Sequence, residues 1–375
     1  MNHHESKVVI VGAGAAGVGI AAALADFKVR NVLMLDRHGV GASFDQWPAE
    51  MRLITPSFNT TPFGILDLNA ISLNTSVANY LGVEHPTGKE YARYLRAVVQ
   101  SMKLKFHAPC EITSVWENED GGFFLETIDG ILETDFLIWA AGEFQYPRRD
   151  AFPGAEHCQH NATIASYREI EGKEHIVIGA FESGVDAAVH LARLGRKVTL
   201  LNSGVDLAVS DQDPSRSLSP FTRERLADVQ RTRTNLKIHH RSKVIAVEQT
   251  RQGYLVRTQR LEEFRSLTPP ILATGFCGGT AAVNQLFDYR EDGQILLTKD
   301  DESTLALGLF LAGPLVRHDH HIFCYIYKFR QRFAVIAKTI ADRMGIPVPD
   351  DLLEYYEKNQ MRLIDLSCCG QECTC

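Results

Sequence analysis

Lys7-Val8-Val9-Ile10-Val11-Gly12-Ala13-Gly14-Ala15-Ala16-Gly17 is the stretch that decides the class of this chain. Four apolar residues between a charge and a glycine mark a strand buried on both faces. Glycines at 12, 14 and 17 follow at the spacing of a strand–turn–helix that meets a pyrophosphate. Gly12 permits the tight turn, Gly14 lets backbone approach phosphate, and Gly17 lets the helix pack on the strand. The helix N-terminus adds unpaired N–H groups and partial positive charge. Residues 31–36 read as the next buried strand. Asp36 ends it 24 positions after Gly12, where an acid accepts from ribose hydroxyls. Val8 to Ala25 also form 18 uncharged residues, which mimic a signal peptide or a membrane span. Their Gly and Ala content keeps hydrophobicity modest, so a buried βαβ unit is expected and no membrane segment.

The pattern recurs once downstream. Residues 174–184 repeat strand and turn as Gly179-Ala180-Phe181-Glu182-Ser183-Gly184, with helix to about Leu194 and a strand over 197–201. The first and third glycines remain, but Phe181 takes the middle position, which ordinarily has no side chain. Asn202-Ser203 follow the strand, so neither the acid of an NADH site nor the arginine of an NADPH site is in place.

Residues 88–103 read as an amphipathic helix and 111–127 as a hairpin. Residues 135–142 form a buried strand ending in small residues, and 269–277 close the second unit in the same way. Further strands are expected near 236–239, 243–249, 253–259 and 305–313. A long helix is expected over about 319–344, beginning near His318-Asp319-His320-His321. PRRDAFPG at 147–154 has boundary composition. The fold class is therefore α/β with two Rossmann-like dinucleotide-binding domains, the second inserted in the first. The expected divisions are 1–150, 151–270, 271–345, and a tail over 346–375.

A chain of 375 residues suits two domains, and 45% hydrophobic with 23% charged residues describes a soluble globular protein. A net charge of -7 argues against nucleic-acid binding. Of eight cysteines, Cys110, Cys158, Cys277 and Cys324 are scattered, while Cys368, Cys369, Cys373 and Cys375 crowd the end. A disulfide scaffold would spread its cysteines, so a cytoplasmic protein with a thiol-rich tail is expected. Such a tail can relay electrons by thiol exchange or hold a soft metal ion. CC-x3-CxC is not a standard zinc spacing, and the histidines at 318–321 lack a further ligand at helical spacing, so no metal site is assigned. Cys324 reads as a core thiol on a helical face, Trp116 and Trp139 as packing, and Lys328, Arg330 and Arg332 as a solvated helix face.

Across about residues 7–341 the chain resembles flavoproteins with two dinucleotide-binding domains, related to thioredoxin reductase. The residues that carry the resemblance are GAGAAG at 12–17, Trp139-Ala140-Ala141-Gly142, GAFESG at 179–184, Leu272-Ala273-Thr274-Gly275 and Gly308 to Gly313. Within that group it is similar to the flavin-monooxygenase-like proteins of Gram-positive bacteria and to bacillithiol disulfide reductases. Gly41-Ala42-Ser43-Phe44, Trp47-Pro48 and Thr55-Pro56 match the stretch that covers the isoalloxazine there. The resemblance implies an FAD domain with an inserted NAD(P)H domain. It assigns FAD to Gly12, Gly14, Ala15, Ala16, Gly17, Asp36, Arg37, Ser43, Trp47, Ile112, Ala140, Ala141, Gly142 and Gly313. It assigns NADPH or NADH to Gly179, Phe181, Glu182, Ser183, Gly184, Asn202, Ser203, Thr274 and Gly275.

Four positions depart from the group. The acid that usually follows the last glycine is Pro314, and the second domain has no CxxC pair. Ala16 stands where bacillithiol disulfide reductases carry cysteine. The monooxygenase fingerprint is only approximated by Phe152 to His157 with His160. The expected activity is an FAD-dependent NAD(P)H oxidoreductase passing electrons to a disulfide or soft-metal acceptor through Cys368, Cys369, Cys373 and Cys375. Two alternatives stay open, a flavin monooxygenase that activates oxygen and a non-catalytic redox or metal sensor. The expected partner is a small-molecule or thiol-containing substrate, and a homodimer or a higher oligomer is compatible with the group.

Overall fold

The computed structural model describes residues 7–58, 66–211 and 213–367. Its first sheet is parallel and runs Leu309–Leu311, Phe136–Trp139, Val8–Val11, Val32–Leu35, Phe106–His107. All four residues of the central strand are buried, which is why the sequence there is continuously apolar instead of alternating. Helix Ala15–Asp26 returns the chain across the sheet, and helix Phe333–Arg343 lies against it. At Gly19 the contact is so close that a Cβ would stand 2.0 Å from the Phe333 ring.

The second sheet repeats the plan from residues inserted between the strands of the first. Its order is Leu236–His239, Lys197–Leu201, Glu174–Ile178, Ile271–Leu272, Gln159–His160, again parallel. Helix Glu182–Arg193 crosses it. Each unit carries an antiparallel three-stranded sheet, Ile112–Glu117 with Phe123–Thr127 and Gly130–Thr134, and Val244–Thr250 with Gly253–Thr258 and Glu263–Ser266. The sequence reading saw two strands of each and missed the third. No helix among the described residues is long and apolar enough to cross a membrane.

One expected element is different. Arg317–His318 and His321–Ile322 pair as a short hairpin, with Asp319 left-handed at φ 46°. The helix starts only at Ile326–Phe329 and continues through a 3-10 turn, Arg330–Arg332, into Phe333–Arg343. A buried hydrogen bond between His318 and Asp301 holds the hairpin in place.

Arg330 and Arg332 are buried, 0% and 1% exposed, which overturns the reading of a solvated face. Arg332 donates from Nε to Asp301 Oδ2 (2.8 Å) and from its two other nitrogens to the Leu363 and Lys299 carbonyls (2.5 Å each). Arg330 donates to the Asp67 and Ala70 carbonyls at 2.5 and 3.0 Å. Burial pulls its pKa down to about 10, against the opposing pull of Asp67.

The segment after residue 345 is docked on the first unit as far as the described residues go. Helix Asp350–Lys358 places the Tyr356 hydroxyl on Asp26 Oδ2 at 2.7 Å. Leu363 exchanges backbone and guanidinium bonds with Gln331 and Arg332. His321 Nε2 donates to the Leu366 carbonyl at 2.8 Å. The four terminal cysteines lie outside the described residues.

Candidate functional site

A cleft of about 490 Å³ runs between the two Gly-rich turns. Gly12, Gly14, Ala15 and Ala16 line it from the first turn. Gly12 has φ 108°, and a Cβ there would stand 2.3 Å from the Ala140 carbonyl oxygen. A Cβ at Gly17 would stand 1.8 Å from the Gly12 oxygen, so Gly17 packs helix on strand and does not reach the cleft. Gly14 has nothing within 4 Å of its Cβ position. That open space beside a helix N-terminus fits a dinucleotide pyrophosphate, and FAD fits the first turn.

The remaining first-turn candidates fall around this space. Asp36 lines the cleft, while its carboxylate accepts from the Ala13, His38 and Gly39 amides at 2.7–2.8 Å and fixes the turn. Arg37 bridges Glu111 at 3.0 Å and Gln145 at 2.5 Å, and Gln145 donates to Ser43 Oγ at 3.0 Å. Trp47 lies against Phe44 with ring centroids 5.1 Å apart. Ile112, Ala140, Ala141 and Gly142 complete that wall. Gly313 stands behind it, its Cβ position 3.2 Å from the Ala16 methyl.

The second turn is built alike but presents a different surface. Gly179 has φ 103° and a Cβ would lie 2.3 Å from the Ala273 oxygen; at Gly184 it would lie 1.9 Å from the Gly179 oxygen. Phe181, Glu182 and Ser183 line the cleft. Phe181 stands at the position of this turn that Gly14 holds in the first, lines the cleft and packs partly against the core of the second unit. Burial raises the Glu182 carboxyl above the usual range, against hydrogen bonds from Thr222 and Ser219.

Four other second-turn candidates do not face the cleft. The Asn202 amide closes its own turn on Gly204 and Val205 at 2.7–2.9 Å and is 0% exposed. Ser203 is exposed beside it. Thr274 Oγ1 donates to the Arg148 carbonyl at 3.1 Å, and the Gly275 carbonyl accepts from the Arg148 amide at 3.0 Å, so both tie the crossing segments together.

Several cleft residues were missed from the sequence. Glu143 and Phe144 directly follow the Ala140-Ala141-Gly142 element, a positional signal that was available. Burial raises the Glu143 carboxyl, with Arg317 opposing. Asn69 and Asp186 also line the cleft, and Asn69 Oδ1 and Asp186 Oδ2 are buried without a hydrogen-bond partner. Burial pushes Asp186 up, but His190 and Arg225 outweigh it and hold the carboxyl below the usual range.

Cys324 is no core thiol on a helix. It precedes the helix, lines the cleft, and donates to Ser215 Oγ at 3.1 Å. Lys328 donates to the same Ser215 at 2.8 Å and to Asp213 at 2.6 Å. Burial raises the Cys324 thiol, opposed by Ser215, Lys328 and Arg317. Trp139 lines the cleft and donates to the Gly279 carbonyl at 2.5 Å, whereas Trp116 is 38% exposed and meets Phe124 at 5.9 Å.

The monooxygenase-like stretch does not line the cleft, although the His160 ring meets Phe276, which does. Gly154 is packed on Val247, and His160 Nε2 meets the Gly275 carbonyl at 3.1 Å. Among the described residues no three His, Cys, Asp or Glu are grouped to hold a metal ion.

Comparison with known proteins agrees with this geometry. The chain is 24% identical over 206 residues to bacilliredoxin reductase Bdr of Bacillus subtilis, covering 55% of this chain and 60% of that protein. It is 24% identical over 206 residues to a ferredoxin–NADP reductase of Nitrobacter hamburgensis, covering 53% and 52%. The chain thus spans little more than half the length of these curated relatives. Among solved structures, bacillithiol disulfide reductase Bdr from Staphylococcus aureus superposes with TM-score 0.74 at 18% identity, covering 91% of this chain and 99% of the other. A flavin-containing monooxygenase from Stenotrophomonas maltophilia gives TM-score 0.68 at 14% identity, covering 90% and 98%. These likenesses show the fold of the two-domain FAD- and NAD(P)-binding reductases. The model of the pyridine nucleotide-disulphide oxidoreductases matches residues 9–313, most of the length, and the chain belongs to that family.

Proposed function

We propose that this protein is an FAD-dependent oxidoreductase that is reduced by NADPH or NADH and delivers electrons to a thiol-linked acceptor, either a disulfide or a thiolate-bound soft metal. One observation carries the acceptor half. The cleft shared by the two turns includes Cys324, and the chain is pinned at His321–Leu366 just before its cysteine-rich end. The monooxygenase reading lacks such support, because the stretch that approximates its fingerprint does not line the cleft.

Bound FAD supplies a two-electron carrier between nicotinamide and acceptor. The chain supplies position and field. The first turn, at the N-terminus of Ala15–Asp26, would hold the pyrophosphate, and Asp36 keeps that turn closed. Phe44, Trp47 and Phe144 exclude water along one side. Arg317 and Lys328 place positive charge near Cys324 and oppose the burial that raises its thiol. Ala16 offers no thiol at the first turn, so exchange must use a cysteine from elsewhere in the chain.

Anaerobic titration of the flavoprotein with each nicotinamide, followed by turnover on a small aromatic disulfide, tests the reading. Full-length protein is expected to bleach and to reduce the disulfide. A chain ending at Leu366 is expected to bleach equally and to lose disulfide reduction. Absence of bleaching with both nucleotides would sink the oxidoreductase; equal turnover by the shortened chain would sink the terminal relay.

A further inference from the structure

The two units match residue for residue where their second strands end. The Gly12 amide donates to the Leu35 carbonyl at 2.7 Å, and the Gly179 amide to the Leu201 carbonyl at 3.1 Å. Asp36 and Asn202 come next, and their amides donate to the His107 and His239 carbonyls at 3.1 and 2.9 Å. Their own carbonyls accept from the Cys110 and Ser242 amides at 2.9 and 2.8 Å. In each unit two residues separate the third strand from that last bond, 108–109 in one and 240–241 in the other. Ile112 and Val244 then open the antiparallel sheets. Arg37 therefore corresponds to Ser203, and Glu111 to Lys243.

The shared frame carries opposite charge. In the first unit Asp36, Arg37 and Glu111 line the cleft, two acids and one cation, and Arg37 is bonded to Glu111 at 3.0 Å. In the second unit Asn202, Ser203 and Lys243 take those places, and His240 and Arg241 replace Ala108 and Pro109. Ser203, Arg241 and Lys243 are exposed, while Asn202 is turned onto its own loop. Two acids lie close by and are bonded within the protein. Asp206 accepts from the Ala208 amide at 2.9 Å, and Glu262 from the Ser242 and Thr258 hydroxyls at 3.0 and 3.2 Å.

The end of the second strand is where such a unit meets the adenosine ribose of its nucleotide. An acid there accepts from a free 2′-hydroxyl, whereas an arginine nearby accommodates a 2′-phosphate. A carboxylate at position 202 would repel that phosphate, and the chain has an amide instead. The arginine missing after the second strand is supplied by the third, which lies beside it with Leu201 opposite His239. Arg241 also stands at φ 56°, a left-handed conformation that glycine or asparagine adopts more readily. A long cation is thus held at a position whose backbone favours a small residue.

We infer that the second unit selects NADPH over NADH, with the 2′-phosphate of the nucleotide held between Ser203, Arg241 and Lys243. This rests on the reading of a nicotinamide-reduced flavoprotein and names which nucleotide it takes. The guanidinium and the ammonium donate to phosphate oxygens, and the Ser203 hydroxyl donates a third bond.

Calorimetric titration of FAD-loaded protein with adenosine 2′,5′-bisphosphate and with adenosine 5′-monophosphate isolates the 2′-phosphate. FAD already fills the first unit, and neither probe carries a nicotinamide. At the lower end for charged hydrogen bonds each cation is worth about 10-fold, so the bisphosphate is expected to bind about 100-fold more tightly. That margin should shrink as salt is raised to about 0.5 M. Arg241→Gln and Lys243→Gln are each expected to cut the ratio of the two dissociation constants by about 10-fold. A general loosening of the site weakens both probes alike and leaves the ratio where it was. Arg241→Lys, which keeps the charge, should restore part of it, and FAD content with melting reports that each variant folds.

Equal binding of the two probes by the parent, or a ratio that survives both substitutions, would overturn the inference. Anaerobic bleaching of the flavin separates it from the wider reading. If NADPH and NADH bleach with the same concentration dependence, the oxidoreductase stands and the phosphate site falls. If the bisphosphate is preferred and neither nucleotide bleaches the flavin, the phosphate site stands and the oxidoreductase falls.

Discussion

Replacing Gly14 and Gly17 separately by alanine should divide binding from folding within one motif. At Gly17 a methyl would lie 1.8 Å from the Gly12 carbonyl oxygen, and backbone cannot swing aside as a side chain does. To reach a contact of about 3.2 Å the helix must retreat by about 1.4 Å, and such overpacking costs about 3 kcal/mol, the upper end for inserted groups. Replacing a helical glycine returns about 1 kcal/mol, leaving about 2 kcal/mol of destabilisation, or a fall of about 2–4 °C in Tm. At Gly14 the methyl meets nothing within 4 Å, and the backbone, at φ -83° and ψ -165°, suits any residue. Loss of a glycine cap costs a few tenths of a kcal/mol and reduced chain entropy returns about 0.5, so stability should hold within about 0.5 kcal/mol. The methyl does occupy the space that phosphate would enter. Losing one charged hydrogen bond there costs about 1.5–3 kcal/mol, a rise of about 10- to 100-fold in Kd for FAD. Flavin-free protein of each variant can be melted, then titrated with FAD by fluorescence quenching. A Gly14→Ala protein that melts as low as Gly17→Ala, or that binds FAD like the parent, would refute this division of labour.

Phe181→Gly should open the second turn and lower KM for the nicotinamide by about 3- to 10-fold, roughly 1 kcal/mol, with FAD content unchanged; an unchanged or higher KM would show that the ring is part of the binding surface. Glu182→Gln should flatten a pH dependence whose sign follows from burial. A raised folded-state pKa means that the stabilisation of the protonated acid is complete below the unfolded carboxyl value, about 4.3, and is lost as pH rises through the folded value. The parent should therefore lose stability and nicotinamide affinity as pH climbs above the usual carboxylate range, and the Gln variant should not, as melts and KM across that range would show. Arg332→Met removes three hydrogen bonds and leaves Asp301 with His318 alone, at a cost of about 3–5 kcal/mol in urea unfolding; a change below 1 kcal/mol or so would mean that His318 suffices for the buried carboxylate.

The parts of the fold that the sequence revealed are those written in local pattern. Residues 8–11 and 176–178 are apolar throughout because both faces are covered, and the glycines after them have φ above 100°. The misread segment, 317–332, is governed by partners far away. Its spacing of apolar and basic residues is helical, yet Asp301 pairs with both His318 and Arg332, and Arg330 bonds the Asp67 carbonyl 263 positions earlier. Three cations on one helical face read as solvated unless those acceptors are known. Cys324 was placed in the core for the same reason, since the helix assumed to carry it begins two residues later.

The two turns together separate what a glycine motif says about fold from what it says about ligand. The outer glycines of both turns stand under 2.5 Å, at the Cβ position, from backbone oxygens of the same protein. They are required for strand, turn and helix to pack whether or not anything binds. The middle position alone faces open space, at Gly14 in one turn and with a phenyl ring at Phe181 in the other. A match at the outer glycines is therefore a statement about architecture, and the middle residue is where the ligand enters the sequence. By that criterion the first turn keeps its middle position open beside the helix N-terminus, while the second carries a side chain there.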